Sequence, residues 1–239
     1  MVSSAGDPVW RSDLPASQVA IITALELEAH TVRKALSPGG PSIHVSGPGP
    51  DHAAASARYA ISSGARALVS IGLAGGLSSV AQTGTVCLPL ILISATGRWP
   101  VDAGWHERLK SAIASLYPVI DQPLFSARHV VTTPSEKNAL AEKFEAALVD
   151  MESAAIAEVA EDAELPFIAL RVIADGPFDS LPSDVDSLVR PDGKTRYASL
   201  IPYLWSWRKA RLLARLARKS GAARRQLAVV LASLSGTAG

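Results

Sequence analysis

Three short segments carry carboxylates in positions where chemistry can be done. Thr23-Ala-Leu-Glu-Leu-Glu28 sets Glu26 and Glu28 at a helix start, and Val149-Asp-Met-Glu152 sets Asp150 and Glu152 ahead of an alanine-rich helix. Val172-Ile-Ala-Asp175 closes an apolar strand with Asp175. Each acid alone has an ordinary structural explanation, because acids complement helix N-termini and an Asp after a strand often starts a turn. Together they stand where strands end, the edge at which open α/β sheets bind ligands. Several carboxyl groups at one edge equip a site to donate a proton and to stabilise a cation. Gly47-Pro-Gly-Pro50 and Gly72-Leu-Ala-Gly-Gly76 add glycine-bearing turns whose N–H groups can approach a ligand oxygen. Neither matches a dinucleotide fingerprint or a phosphate-binding loop, and no GxSxG or HExxH motif occurs. The five histidines are scattered and Cys87 is the only cysteine, so neither a metal site nor an intrachain disulfide is expected.

The elements that position these acids follow from the hydropathy pattern. Extended apolar runs at 19–24, 42–46, 67–71, 85–94, 127–132 and 167–174 alternate with helical patterns at 26–36, 51–62, 102–116, 135–146 and 151–161. Asp51 is read as the N-cap of the second helix. Such alternation predicts an α/β fold with a mostly parallel central sheet flanked by helices. The 239 residues, 48% hydrophobic and 19% charged, suffice for one full core and are too apolar for a disordered chain. One domain over 17–235 is expected, with residues 1–16 a flexible leader lacking the apolar segment of a secretory signal. No uninterrupted apolar run is long enough to cross a bilayer, so a cytoplasmic protein is expected.

The net charge of +1 hides an asymmetry. Residues 1–192 carry 13 Lys/Arg against 22 Asp/Glu, whereas residues 193–239 carry 10 Lys/Arg and no acid. Residues 205–234 read as a basic amphipathic helix within the domain. Leu212, Leu213, Leu216, Leu227, Val230, Leu231 and Leu234 gather on one face, and Arg208, Arg211, Arg215, Arg218 and Arg225 on the other. Tyr197, Tyr203, Trp205 and Trp207 cluster beside it. One explanation is a last helix packed on the sheet with its basic side solvated. The alternative is a peripheral contact with the inner membrane surface through Arg208, Arg211, Arg215 and Arg218. No nucleic-acid reading motif is present, so that class of partner is not expected.

Over roughly residues 17–180 the chain resembles the nucleoside phosphorylase and methylthioadenosine/S-adenosylhomocysteine nucleosidase superfamily. The resemblance rests on Ala20-Ile-Ile-Thr-Ala-Leu-Glu-Leu-Glu28, Ser70-Ile-Gly-Leu-Ala-Gly-Gly-Leu77, Val149-Asp-Met-Glu-Ser153 and Leu170-Arg-Val-Ile-Ala-Asp175. Within that superfamily the chain is most similar to the hopanoid-associated phosphorylases, on Ser46-Gly-Pro-Gly-Pro-Asp-His-Ala53 and the basic C-terminal region. The implied activity is cleavage of the N-glycosidic bond of a purine ribonucleoside, with adenosylhopane, releasing adenine, the favoured substrate. The resemblance implies that Asp175 protonates the purine, Glu152 holds the ribose hydroxyls, Met151 packs beneath the sugar and Glu28 activates water. It implies that Ala74, Gly75 and Gly76 line the nucleophile and base pocket, with Val130, Val131, Thr132 and Thr133 beside the purine. It calls for no cofactor, leaves phosphate as an alternative co-substrate to water, and points to a homo-oligomer. Leu73 stands where the nucleosidases have a small hydroxyl residue, and Asp150 where many have Glu. Small-molecule methylthioadenosine/S-adenosylhomocysteine cleavage and a non-catalytic nucleoside-binding module remain the alternatives.

Overall fold

The computed structural model describes residues 14–36, 39–182, 189–195 and 207–235, with side chains of the last segment from residue 211 onward. Its centre is a pair of long parallel strands, β3 (Ala67–Gly76), buried except at the half-buried Leu73 and Gly75, and β10 (Phe167–Asp175), buried from end to end. β1 (Val19–Thr23) pairs parallel with the first half of β3, and β2 (Ser42–Val45) pairs parallel with β1. Around them run β4 (Val86–Cys87), β5 (Ile91–Ile93), β6 (Arg98–Pro100), β7 (Val119–Ile120), β8 (Leu124–Ser126) and β9 (Leu148–Asp150). Among the described residues the order β6-β5-β8-β9-β3-β10-β4-β7, with β1 and β2 branching from β3, makes one ten-stranded mixed sheet in which parallel pairs predominate.

Side-chain alternation along these strands sends the two faces into separate cores. Ala20, Ile22, Leu68, Ala169 and Ile173 face the small-residue helices α2 (Pro50–Ser62) and α5 (Ser153–Asp162). Val19, Ile21, Val69, Ile71, Ile168, Leu170 and Val172 face α1 (Glu26–Ala35), α3 (Ala103–Ala114) and α6 (Trp207–Leu234). α4 (Pro134–Phe144) joins a third, smaller cluster around Phe125 and Val149.

Several expectations need correction. The run 85–94 is not one strand: Pro89, which lacks an N–H to donate, separates β4 from β5, and these join different parts of the sheet. The extended run 127–132 lies after β8 rather than within it. Gly72–Gly76 is no turn, because β3 continues through it. Glycine is needed there for close approach: a Cβ on Gly72 would lie 2.8 Å from Glu28 Oε1, and one on Gly76 would lie 1.9 Å from the Ala81 carbonyl. Asp51 is not the N-cap of α2. That position falls to Gly49, at φ 96°, and Asp51 sits in the first turn near Arg128, 3.6 Å away. Within the expected leader, residues 1–13 lie outside the described residues, while Leu14 packs against the core. Tyr197, Tyr203 and Trp205 also lie outside the described residues.

Candidate active site

Glu28 is the third residue of α1, and its position follows from the helix start. Its Oε2 accepts the Leu25 N–H at 3.0 Å, tying the side chain back over the end of β1. Its Oε1 accepts the Leu73 N–H at 2.8 Å, reaching β3 where glycine leaves room. The group is buried at 4% exposure, and burial raises its pKa above the usual carboxylate range. The Leu73 amide and the charge of Arg171 pull the other way without overcoming this.

Glu152 arrives from the opposite direction. β9 runs antiparallel to the end of β3, with Val149 opposite Gly75, so the chain after it is delivered to the carboxyl edge of the sheet. Glu152 occupies the N-cap position of α5, but its side chain turns away from the helix and its Oε1 accepts the Gly49 N–H at 2.8 Å. Its pKa is pushed up to about 8, first by burial and then by the charge of Asp150. Asp150 itself belongs to a closed network. It accepts from Ser126 Oγ at 2.6 Å, Ser153 Oγ at 2.5 Å, and Arg171 Nε and Nη2 at 3.1 and 2.8 Å. Arg171 also donates to Ser70 Oγ at 2.6 Å and Ser153 Oγ at 2.7 Å.

Asp175 ends β10 at a register shift: Ile173 pairs with Ala74, but Asp175 pairs with the next residue, Gly75. Such a bulge re-aims a side chain at a strand end. The carboxyl lies against Gly75, whose missing Cβ would stand 3.4 Å from Oδ2. Oδ2 is ion-paired to Lys137 of α4, whose ammonium is fully buried and also donates to the carbonyls of Gly176 at 2.7 Å and Asp179 at 3.2 Å. Burial raises the Asp175 pKa, and Lys137 opposes that rise. Asp179 is held by Lys219 and, at 3.0 Å, by Arg215, both from α6.

Glu28, Glu152 and Asp175 line one cavity of about 600 Å³. Met151, Ala74, Gly75, Val130 and Val131 line it with them. Three expected wall residues lie elsewhere. Gly76 packs on Ala81, and Thr132 and Thr133 build the start of α4: Thr133 caps Glu136 N at 3.2 Å, and Thr132 N donates to Glu136 Oε2. The remaining wall is mainly apolar, with Leu25, Pro48, Pro50, Leu181, Val189 and Leu216. Beneath the floor a void of about 10 Å³, the room of one water, lies between Thr23, Ser46, Glu28 and Arg171, and the buried Thr23 hydroxyl there has no protein partner. Among the described residues, no three His, Cys, Asp or Glu side chains are grouped to hold a metal ion. Nor is any helix long and apolar enough to cross a membrane.

Lys137 was not singled out from the sequence. Its signal was a lysine in the first turn of a helix, where the dipole disfavours a cation unless an acid faces it. Arg171, a charge inside an otherwise apolar strand, carried the analogous signal of a required buried partner.

Residues 26–192 match the family model of the phosphorylase superfamily, and the chain belongs to that superfamily. It is an enzyme of the class that cleaves glycosidic bonds. Among solved structures, the futalosine hydrolase of Helicobacter pylori is similar, with a TM-score of 0.68 at 13% identity over 90% of this chain and 97% of that one. The 5′-methylthioadenosine/S-adenosylhomocysteine nucleosidase of Neisseria meningitidis, in complex with methylthio-immucillin-A, gives 0.67 at 20% identity over 91% and 99%. The S-adenosylhomocysteine nucleosidase of Streptococcus pyogenes, in complex with 5-methylthiotubericidin, gives 0.68 at 15% identity over 95% and 100%. No curated protein sequence matches the chain.

Proposed function

We propose that the chain cleaves the N-glycosidic bond of a purine ribonucleoside, with water as the nucleophile. The observation that carries this reading is the convergence of Glu28, Glu152 and Asp175 on one cavity. Breaking the bond sends an electron pair to the purine and leaves positive charge on the sugar. Asp175, whose pKa is raised by burial, is the group that donates a proton to the purine. Glu152 and Met151 hold the sugar, and Glu152, when ionised, places negative charge beside the developing cation. Glu28 orients the water.

Water is preferred to phosphate because the groups beside Glu28 that would hold an anion are already engaged, and Arg128, an arginine on the cavity wall, is exposed and faces Asp51. The Leu73 N–H is taken by Glu28, and Arg171 is saturated by Asp150, Ser70 and Ser153. The apolar wall formed by Pro48, Pro50, Val189 and Leu216 supports a bulky apolar 5′ substituent, of which adenosylhopane is the favoured example. A small 5′-methylthio substituent is the second reading, favoured by the ligands of the Neisseria and Streptococcus structures. Exposed Arg211 and Arg218 on α6 support a contact with an anionic membrane surface for such a lipid substrate, whereas Arg215 is engaged by Asp179.

The test is incubation with adenosine-type nucleosides of increasing 5′ apolar bulk, with and without phosphate, following free purine and sugar product. The expected result is purine release giving unphosphorylated sugar at a rate independent of phosphate and rising with apolar bulk. Absence of purine release from every member of the series overturns the reading.

A further inference from the structure

Two cations are buried among the described residues, Arg171 and Lys137. Arg171 sits in a closed hydrogen-bond network. Lys137 stands directly behind a group that faces the cavity, and the role described above for Asp175 does not use it. Burying an ammonium is strongly unfavourable unless it is paired and its protons are satisfied. Lys137 meets that condition: its three N–H bonds have three acceptors, Asp175 Oδ2 and the carbonyls of Gly176 and Asp179. The carbonyls belong to the turn that follows Asp175, so the ammonium fixes both the carboxyl group and the backbone that carries it. With Oδ2 tied down, Oδ1 is the oxygen left to face a ligand.

We infer that Lys137 is a positioning residue for Asp175, fixing which carboxyl oxygen meets the nucleobase and neutralising the carboxylate left when the proton departs. The inference rests on the reading of Asp175 as general acid. In the step, the Asp175 proton passes from Oδ1 to a purine ring nitrogen as the C–N bond breaks and its electron pair moves to the purine. The carboxylate then stands opposite the ammonium, which keeps all three protons. The carboxyl regains a proton from solvent after the purine leaves.

Burial alone would make Asp175 hold its proton and be a poor donor, and Lys137 makes release easier. The charged groups around Asp175 are Lys137 from α4, Asp179 from the following turn, and Lys219 from α6. Burial and Asp179 raise its pKa, and Lys137 and Lys219 lower it. Removing Lys137 therefore moves it further up, and Asp175 stays protonated to higher pH.

The experiment compares wild type, Lys137→Met and Lys137→Arg on an adenosine-type nucleoside and on p-nitrophenyl riboside, whose leaving group needs no proton. In Lys137→Met, purine release falls about 100-fold, and the alkaline limb of kcat moves to higher pH. Release of p-nitrophenolate stays within about threefold of wild type, because no acid is required. Lys137→Arg keeps the charge and restores the wild-type limb with part of the rate. Lys137→Gln supplies the same comparison should the Met variant fail to fold by circular dichroism. Equal loss on both leaving groups, or an unmoved alkaline limb, overturns the inference alone. A wild-type protein that releases no purine overturns the reading of the site and the inference with it.

Discussion

Among its described residues the protein holds two buried carboxylate–cation pairs, and they are built in opposite ways. In the Asp150–Arg171 pair the partners are protein: three serines and the guanidinium make up the network, with room for only one water beside Arg171. In the Asp175–Lys137 pair the cation is saturated, but the carboxyl has one oxygen bonded and lies on the cavity wall. A closed network joins β9, β10, α5 and β3 into a scaffold. An open one leaves a proton donor or acceptor available to a ligand. Asp150 and Glu152 show the same division two residues apart. The first is spent on the interior, and the second is held by the Gly49 and Met151 amides and offered to the cavity.

The strongest way to break this contrast is to remove the acid of the open pair. Asp175→Asn removes the proton donor while keeping its shape, so kcat on a purine nucleoside should fall about 10²–10⁴-fold. Single-turnover measurements should show that the nucleoside still binds. The corresponding cut in the closed pair, Arg171→Met, leaves Asp150 buried without its cation. Its cost should appear as stability, about 3–5 kcal/mol in chemical denaturation. Near-wild-type denaturation of Arg171→Met would mean that the closed network is not the scaffold.

pH sharpens the comparison. The open-site acids Glu28, Glu152 and Asp175 all have raised pKa values, burial being the first cause in each. A carboxyl group raised in the folded state favours folding while protonated. Its contribution is present below the ordinary value and is lost as pH rises through the folded value. For Glu152 that window runs from 4.5 to about 8. The ligand-free protein should therefore melt on the order of 5 °C lower at about pH 9 than at about pH 5.5. Glu152→Gln should flatten the slope. A Tm that rises across the window would contradict the shifts.

The acids were legible in the sequence because strand ends and helix starts are marked by local patterns. The central strands β1, β3 and β10 were legible for the same reason, since continuous apolar runs leave few alternatives. What sequence did not reveal depends on distant partners. Lys137 lies 38 residues from Asp175 and, on a surface helix, would read as a solvated lysine. Thr132 and Thr133 were expected beside the purine, but local capping of α4 claims them instead. Gly72–Gly76 was expected to turn because glycine is common in turns. Here the missing Cβ atoms serve a strand crossed by Glu28 and by the Ala81 carbonyl, and only tertiary contact shows that.

The smallest expected effect concerns the two halves of α6. Its back half is core, with Ala223, Leu227, Val230 and Leu231 fully buried, and it explains why apolar residues recur on one face. Its front half reaches the site: Leu216 and Ser220 line the cavity, while Arg215 and Lys219 grip Asp179. The Asp179 carboxylate would be pushed up by burial, but Lys219, the Gly176 amide and Arg215 hold it below the usual range. Arg215 is 59% exposed, so its pair contributes only about 0–1 kcal/mol. Arg215→Met should therefore leave denaturation nearly unchanged. Because Lys219 still holds Asp179, kcat should stay within about twofold of wild type. The double variant Arg215→Met/Lys219→Met leaves the Asp179 side chain held by the Gly176 amide alone and loosens the turn that carries Asp175. Its signature should be a KM increase of a few-fold, larger than the change in kcat, because the wall at Leu216 is displaced before the proton donor is. Equal kinetics for the single and double variants would mean that the front of α6 covers the cavity without shaping it.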